Sequence, residues 1–232
     1  MKKIFIILAA VLGLSACDDI LTREPQSQLS PESYFATATD LQLFTNPYYN
    51  NLLPKHPYKV QSDQYITSTP SDLVKGGNNR YTPASGGGWT WGDLRRINTC
   101  IYYANLNCED EAVRNQYVAL CKFFRAYFYF EKVRQFGDVP WVDHELGSND
   151  PALYAARDTR EFVMTKMIEY IDEAIKYLPA NYGGSNYRAT KWAALALKAR
   201  FCLYEGTYRK YHGISYPEHD YKYYLQLAAD AA

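Results

Sequence analysis

The chain has 232 residues, 25 basic and 25 acidic, so it is formally neutral and long enough for one sizeable domain or two small ones. Neutrality excludes a general nucleic-acid binder, which needs a basic stripe to displace phosphate counterions. No apolar run reaches the roughly 18 residues of a spanning helix. A hydrophobic content of 47% supports a packed core, and 23 tyrosines point to rings that pack while their hydroxyls stay near water.

The N-terminus reads as a targeting segment. Lys2 and Lys3 precede the apolar run Ile4 to Leu14, which is too short to span a bilayer but fits a signal-peptide core. Ser15 and Ala16 then place small residues directly before Cys17, the pattern in which signal residues 1–16 are removed and Cys17 is acylated. More than one acyl chain anchors stably, at roughly 0.8 kcal/mol per buried methylene. Cleavage also removes Lys2 and Lys3, leaving 23 basic residues against 25 acidic ones.

Residues 17–39 are polar and Ser/Thr-rich and read as a tether ending in an N-cap region. A short helix is predicted from Asp40 to Leu53. Residues 54–90 form a long irregular stretch rich in Pro, Gly, Asn, Ser and Thr, of a length that is commonly functional. Helices follow. One runs from Trp91 to Asn107, and another from Asp110 to Phe136, stopped by Gly137 and Pro140. The second has aromatic residues all round its centre, Phe123 to Phe130, so neighbours must cover it on several sides.

Asp158-Thr159-Arg160-Glu161 resembles a capping box opening a helix that Pro179 ends, with Met164, Met167, Ile168, Ile171, Ile175 and Leu178 on one face. Ala189 to Glu205 is predicted as the next helix, with Gly206 as its C-cap, and Tyr221 to Ala232 starts another. The predicted fold is mainly α: tetratricopeptide-like stacked helix pairs behind a long irregular N-terminal loop region. The chain stops within a helix, so a domain over residues 40–232 that continues past the C-terminus is expected.

Catalytic patterns are missing. His56, His144, His212 and His219 are scattered, and neither a nucleophile elbow nor a phosphate-binding glycine loop occurs. Glu109-Asp110-Glu111 is better read as an acidic helix start than as a pair of glycosidase acids. Cys100, Cys108, Cys121 and Cys202 sit in apolar runs without metal-ligand spacing, and buried free thiols are expected. Cys100 and Cys108 would lie about 12 Å apart along one helix, too far to bridge. No enzyme activity, cofactor or metal is expected.

Phe123-Phe124-Arg125-Ala126-Tyr127-Phe128-Tyr129-Phe130, continuing through Phe136-Gly137-Asp138-Val139-Pro140, resembles the signature of SusD/RagB-like lipoproteins. Ala156-Arg157-Asp158 with Ile171-Asp172-Glu173-Ala174, and Arg188-Ala189-Thr190-Lys191 with Ala193 to Arg200, resemble the helices that follow it in that family. The resemblance implies a surface-exposed outer-membrane lipoprotein of Bacteroidetes, with Asp18-Asp19 as an acidic export signal. Its implied partners are a TonB-dependent SusC-like barrel and a glycan, with the lipid anchor as the only membrane contact and no nucleic acid. The alternative is a RagB-like subunit that captures peptides for an importer.

Sugar rings stack on aromatic faces while their hydroxyls pair with amides and charged groups, so a binding loop should interleave the two. Residues 63–91 do this, with Tyr65, Asn79, Arg80, Tyr81 and Trp89 as candidate ligand contacts. Trp89 follows three glycines and fits either an exposed platform or a loop anchor. Trp91 opens a helix and reads as core.

Overall fold

The computed structural model describes residues 34–54, 61–62, 65–66, 68, 87–184, 187–216 and 219–232. The described residues form six α-helices: α1 (Ala38–Leu52), α2 (Gly92–Asn107), α3 (Glu111–Phe136), α4 (Arg160–Tyr177), α5 (Lys191–His212) and α6 (Tyr221–Ala231). A 3-10 turn covers Pro151–Tyr154, and the short strands β1 (Gln61–Ser62) and β2 (Tyr65–Ile66) pair antiparallel. From α2 onward each helix packs on its neighbour in the chain, and α1 lies against α2 and α3. That serial stacking is the tetratricopeptide-like arrangement expected from the sequence. The signal segment, Cys17 and most of the tether lie outside the described residues.

Helix α3 is the centre of the stack. Asp110 caps it by accepting from the Val113 amide at 3.1 Å, and Gly137 ends it at φ 74°. Phe123, Phe124, Ala126, Phe128, Tyr129 and Phe130 are all buried, because α1 and α2 cover one part of the helix and α4 and α5 another. The buried tyrosines keep their hydroxyls bonded. Tyr48 donates to the Arg96 carbonyl at 2.9 Å, and Tyr129 accepts from the Val142 amide at 2.7 Å. Tyr49, half-buried, accepts from the Ala189 amide at 2.9 Å. The four described cysteines are free and buried, and burial pushes the Cys202 thiol up to about 12.

Helix α1 starts two residues earlier and ends one residue earlier than expected from the sequence, and two further boundaries differ for specific reasons. The N-cap of α4 is Thr159, whose hydroxyl accepts from the Phe162 amide; Asp158 instead binds the Trp141 amide at 2.7 Å. Helix α5 does not stop at Gly206 but continues to His212, where Gly213 caps it in the left-handed conformation at φ 62°. Gly206 is a point of close approach. A Cβ there would meet Leu225 Cδ2 and Cγ at 2.8 Å and the Tyr221 carbonyl at 3.0 Å. Gly206→Ala gains about 1 kcal/mol of helix propensity, whereas pushing α6 away costs about 1–3 kcal/mol. The net loss is about 1 kcal/mol, or about 2–4 °C in midpoint for a domain of this size. Thermal unfolding followed by circular dichroism checks it, and an unchanged or raised midpoint would show that α6 does not press on this glycine.

Candidate functional site

The site begins at a glycine turn. Gly87 and Gly88 have φ 50° and 85°, conformations that L side chains rarely adopt. The last turns of α3 hold them: Gln135 Nε2 donates to the Gly87 carbonyl at 2.6 Å and Lys132 Nζ to the Gly88 carbonyl at 2.5 Å. This delivers Trp89 edge-on to Phe136, with ring centroids 4.8 Å apart, and to Trp91 at 5.0 Å. Lys132 is largely buried beneath the turn, and that burial lowers its pKa.

The opposite wall is the segment after α3. Val139 bridges to Asp158, and the Trp141 amide bonds the Asp158 carboxylate, which brings Arg157 back toward Trp89. Asn98 of α2 fixes the next residues by donating to the Val142 carbonyl at 3.2 Å and the His144 carbonyl at 2.7 Å. Its Oδ1 accepts from the buried Arg125 at 2.6 Å. Both donors of that amide are therefore committed to the backbone, and Asn98 acts as a brace for the wall.

Between these walls lies a cavity of about 580 Å³, lined by residues that include Trp89, Trp91, Arg95, Val142, His144 and Arg157. That volume lies within the usual range for small-ligand sites, roughly 300–1,000 Å³. The Arg157 guanidinium lies over the Trp89 ring at 4.8 Å, and Arg95 reaches the Leu146 carbonyl at 3.4 Å. Beside the cavity, burial pushes the Asp143 carboxyl up. Hydrogen bonds from His144 and Trp141, together with the Arg125 charge, outweigh it and hold the group below its ordinary value. Asp143 is thus an anion at neutral pH. The arrangement offers flat aromatic rings beside charged hydrogen-bonding heads. Among the described residues there is no group of His, Cys, Asp and Glu fit to hold a metal ion.

Of the candidate contacts, Trp89 lines this cavity. It is half-buried, so it is a loop anchor that also presents ring surface. Trp91 packs on Phe128 and Tyr129, in keeping with its reading as core, and lines the cavity too. Asn79, Arg80 and Tyr81 lie outside the described residues, and of Tyr65 only the backbone, paired with Ser62, is described. Sequence reasoning missed Arg95, Asn98, His144 and Arg157. No local signal marks them, because a bridge from residue 139 to residue 158 and an amide on α2 bring them together.

Serial helix pairs beneath a cavity walled by tryptophans and an irregular segment define an α-helical scaffold with a candidate ligand cavity. Residues 93–203 match a family model described as "SusD-like_3: Starch-binding associating with outer membrane". A SusD-like protein of Formosa agariphila is 29% identical over 221 residues, covering 88% of this chain and 42% of that protein. The fold is also similar to two solved structures from Bacteroides fragilis NCTC 9343. One is a SusD-like protein (TM-score 0.58, 24% identity, 81% of this chain, 38% of that one). The other is described as a SusD-like carbohydrate binding protein (TM-score 0.59, 18% identity, 86% of this chain, 40% of that one). Over residues 93–203 the chain is similar to SusD-like proteins, and it spans less than half the length of these relatives. No helix among the described residues is long and apolar enough to cross a membrane.

Proposed function

We propose that the protein is a non-catalytic surface lipoprotein that captures glycans, anchored in the outer membrane through Cys17 and delivering its ligand to a TonB-dependent SusC-like barrel. The observation that carries the reading is the cavity where Trp89 and Trp91 stand beside Arg95, Arg157 and His144. Aromatic faces match the C–H faces of sugar rings, and the charged heads match their hydroxyls. The family description, with its reference to starch and the outer membrane, and the carbohydrate-binding description of one fold relative support the same class of ligand. Asn79, Arg80, Tyr81 and Tyr65 are proposed to add contacts from the loop before Trp89.

Peptide capture is the second reading, favoured by Arg95 and Arg157 at one cavity, since guanidinium pairs suit carboxylates. Affinity electrophoresis of the full-length protein through gels containing neutral polysaccharides, with calorimetry against mixed peptides, separates the two. Retardation by at least one polysaccharide without release of reducing sugar is expected. Binding confined to peptides, or sugar release, would overturn the glycan reading.

A further inference from the structure

The tryptophan cavity does not end at His144. A second cavity, of about 350 Å³, shares Asn98 and His144 with it and continues along Ile101, Tyr102, Asn105 and Leu106. A third, of about 300 Å³, shares Ile101, Asn105 and Asp143 with the second and opens between α2, α3 and α4. On α2 the lining positions 94, 98, 101 and 105 follow the spacing of a single helical stripe. At about 1.5 Å per residue that stripe is about 16 Å long. The second cavity therefore continues the first along α2, and the third meets the second at Ile101, Asn105 and Asp143 and opens beside it toward α3 and α4.

Their chemistry changes along that line. The first cavity is mostly apolar and aromatic. The third is lined by Asn105, Asn115, Lys122, Arg125, Tyr170 and Glu173, among others. Arg125 is 1% exposed and stacks over the Tyr170 ring at 4.7 Å, and its Nε has no hydrogen-bond partner. A buried donor left without an acceptor is costly, and a ligand oxygen would supply one. The charges are otherwise balanced, since Lys122 pairs with Glu173 and Asp143 faces Arg125. Balanced charge beside amides, tyrosine rings and a free donor suits hydroxyl groups better than an ion.

We propose that the third cavity is a further subsite for the same ligand, so that the protein takes an extended, uncharged run of several sugar rings that follows α2 and then turns across it toward α3 and α4. The inference rests on the glycan reading of the tryptophan cavity. Its test uses malto-, laminari- and xylo-oligosaccharides from disaccharide to octasaccharide, titrated calorimetrically into the full-length protein and into Asn105→Trp. Asn105 is exposed and borders both the second and third cavities, so a bulky side chain there obstructs the passage without entering the core.

In the wild type, affinity should rise at least ten-fold from the shortest to the longest member of the series that binds. In Asn105→Trp that rise should vanish, while affinity for the short members stays within two-fold. A length dependence that survives the substitution overturns the subsite and leaves the tryptophan cavity standing. A wild type indifferent to length does the same. Binding of no member would sink the glycan reading itself, and tighter binding of oligogalacturonides than of every neutral series would overturn the uncharged ligand.

Discussion

Glu205→Ala should lower stability by about 3–5 kcal/mol, because it leaves two buried guanidiniums without their shared carboxylate. Glu205 on α5 is fully buried and accepts from Arg160 Nε at 3.0 and 2.8 Å and from Arg209 Nε at 2.8 Å. Arg160 sits at the start of α4, and Arg209 lies one turn along α5 from Glu205. Arg209 also bonds Glu161, the His219 carbonyl at 2.6 Å and the Tyr224 hydroxyl of α6 at 3.2 Å. Burial alone would draw protons off both guanidiniums. Hydrogen bonds to Glu205 override it and raise both pKa values, so both guanidiniums stay charged.

The sign of this prediction comes from asymmetry. An intact buried ion network earns little over a well-packed apolar one, whereas a network missing one partner retains uncompensated charge. Glu161 still offers Arg209 a carboxylate in the variant, so the larger share of the loss falls on Arg160. Urea denaturation of Glu205→Ala beside Arg160→Met/Glu205→Leu/Arg209→Met separates the two effects. The triple variant should recover most of what the single one loses. A single variant within 1 kcal/mol of wild type would show that α4 and α5 are not locked together through this carboxylate. For a domain with a total stability of about 5–15 kcal/mol, the single loss is a large fraction.

The limits of the sequence reading are visible at particular residues. The aromatic content around α3 is a local property, so full coverage of Phe123 to Phe130 could be read before any neighbour was known. Arg125 lies within that run and was absorbed into its packing. Its role depends on Asn98, the Asp143 carbonyl and Tyr170, three partners on other segments. Gly206 fails for a related reason. A glycine within a helix and a glycine after one look alike in sequence, and only the approach of Leu225 distinguishes them. Asp158 and Thr159 are both good N-caps, and the Trp141 amide takes the former. Among the described residues the candidate site was legible at its tryptophan wall, because its other walls are assembled by contacts between distant residues.

Trp89→Ala should weaken polysaccharide binding by about 5–30-fold, and the size follows from two opposed effects. Stacking on an aromatic side chain is worth about 1–3 kcal/mol per ring by alanine substitution, taking a flat base as the guide for a flat sugar face. Trp89 is not bare, however. Arg157 already lies over its ring at 4.8 Å, and a ligand that stacks on that face must displace an exposed cation–π contact worth about 0.5–1 kcal/mol. The difference is about 1–2 kcal/mol. Removing the indole also strips Phe136 and Trp91 of an edge contact, so unfolding has to be measured beside binding. Because Gly88 is tied to Lys132 and Gly87 to Gln135, the turn itself should keep its place. Arg157→Ala separates the two contributions: it frees the ring face but removes one hydrogen-bonding head, so its loss should be clearly smaller than that of Trp89→Ala if stacking dominates. Calorimetry that finds Trp89→Ala folded and binding as tightly as wild type would sink Trp89 as a ligand platform. A loss in Arg157→Ala equal to that in Trp89→Ala would instead place the ligand on the guanidinium, as the peptide reading requires.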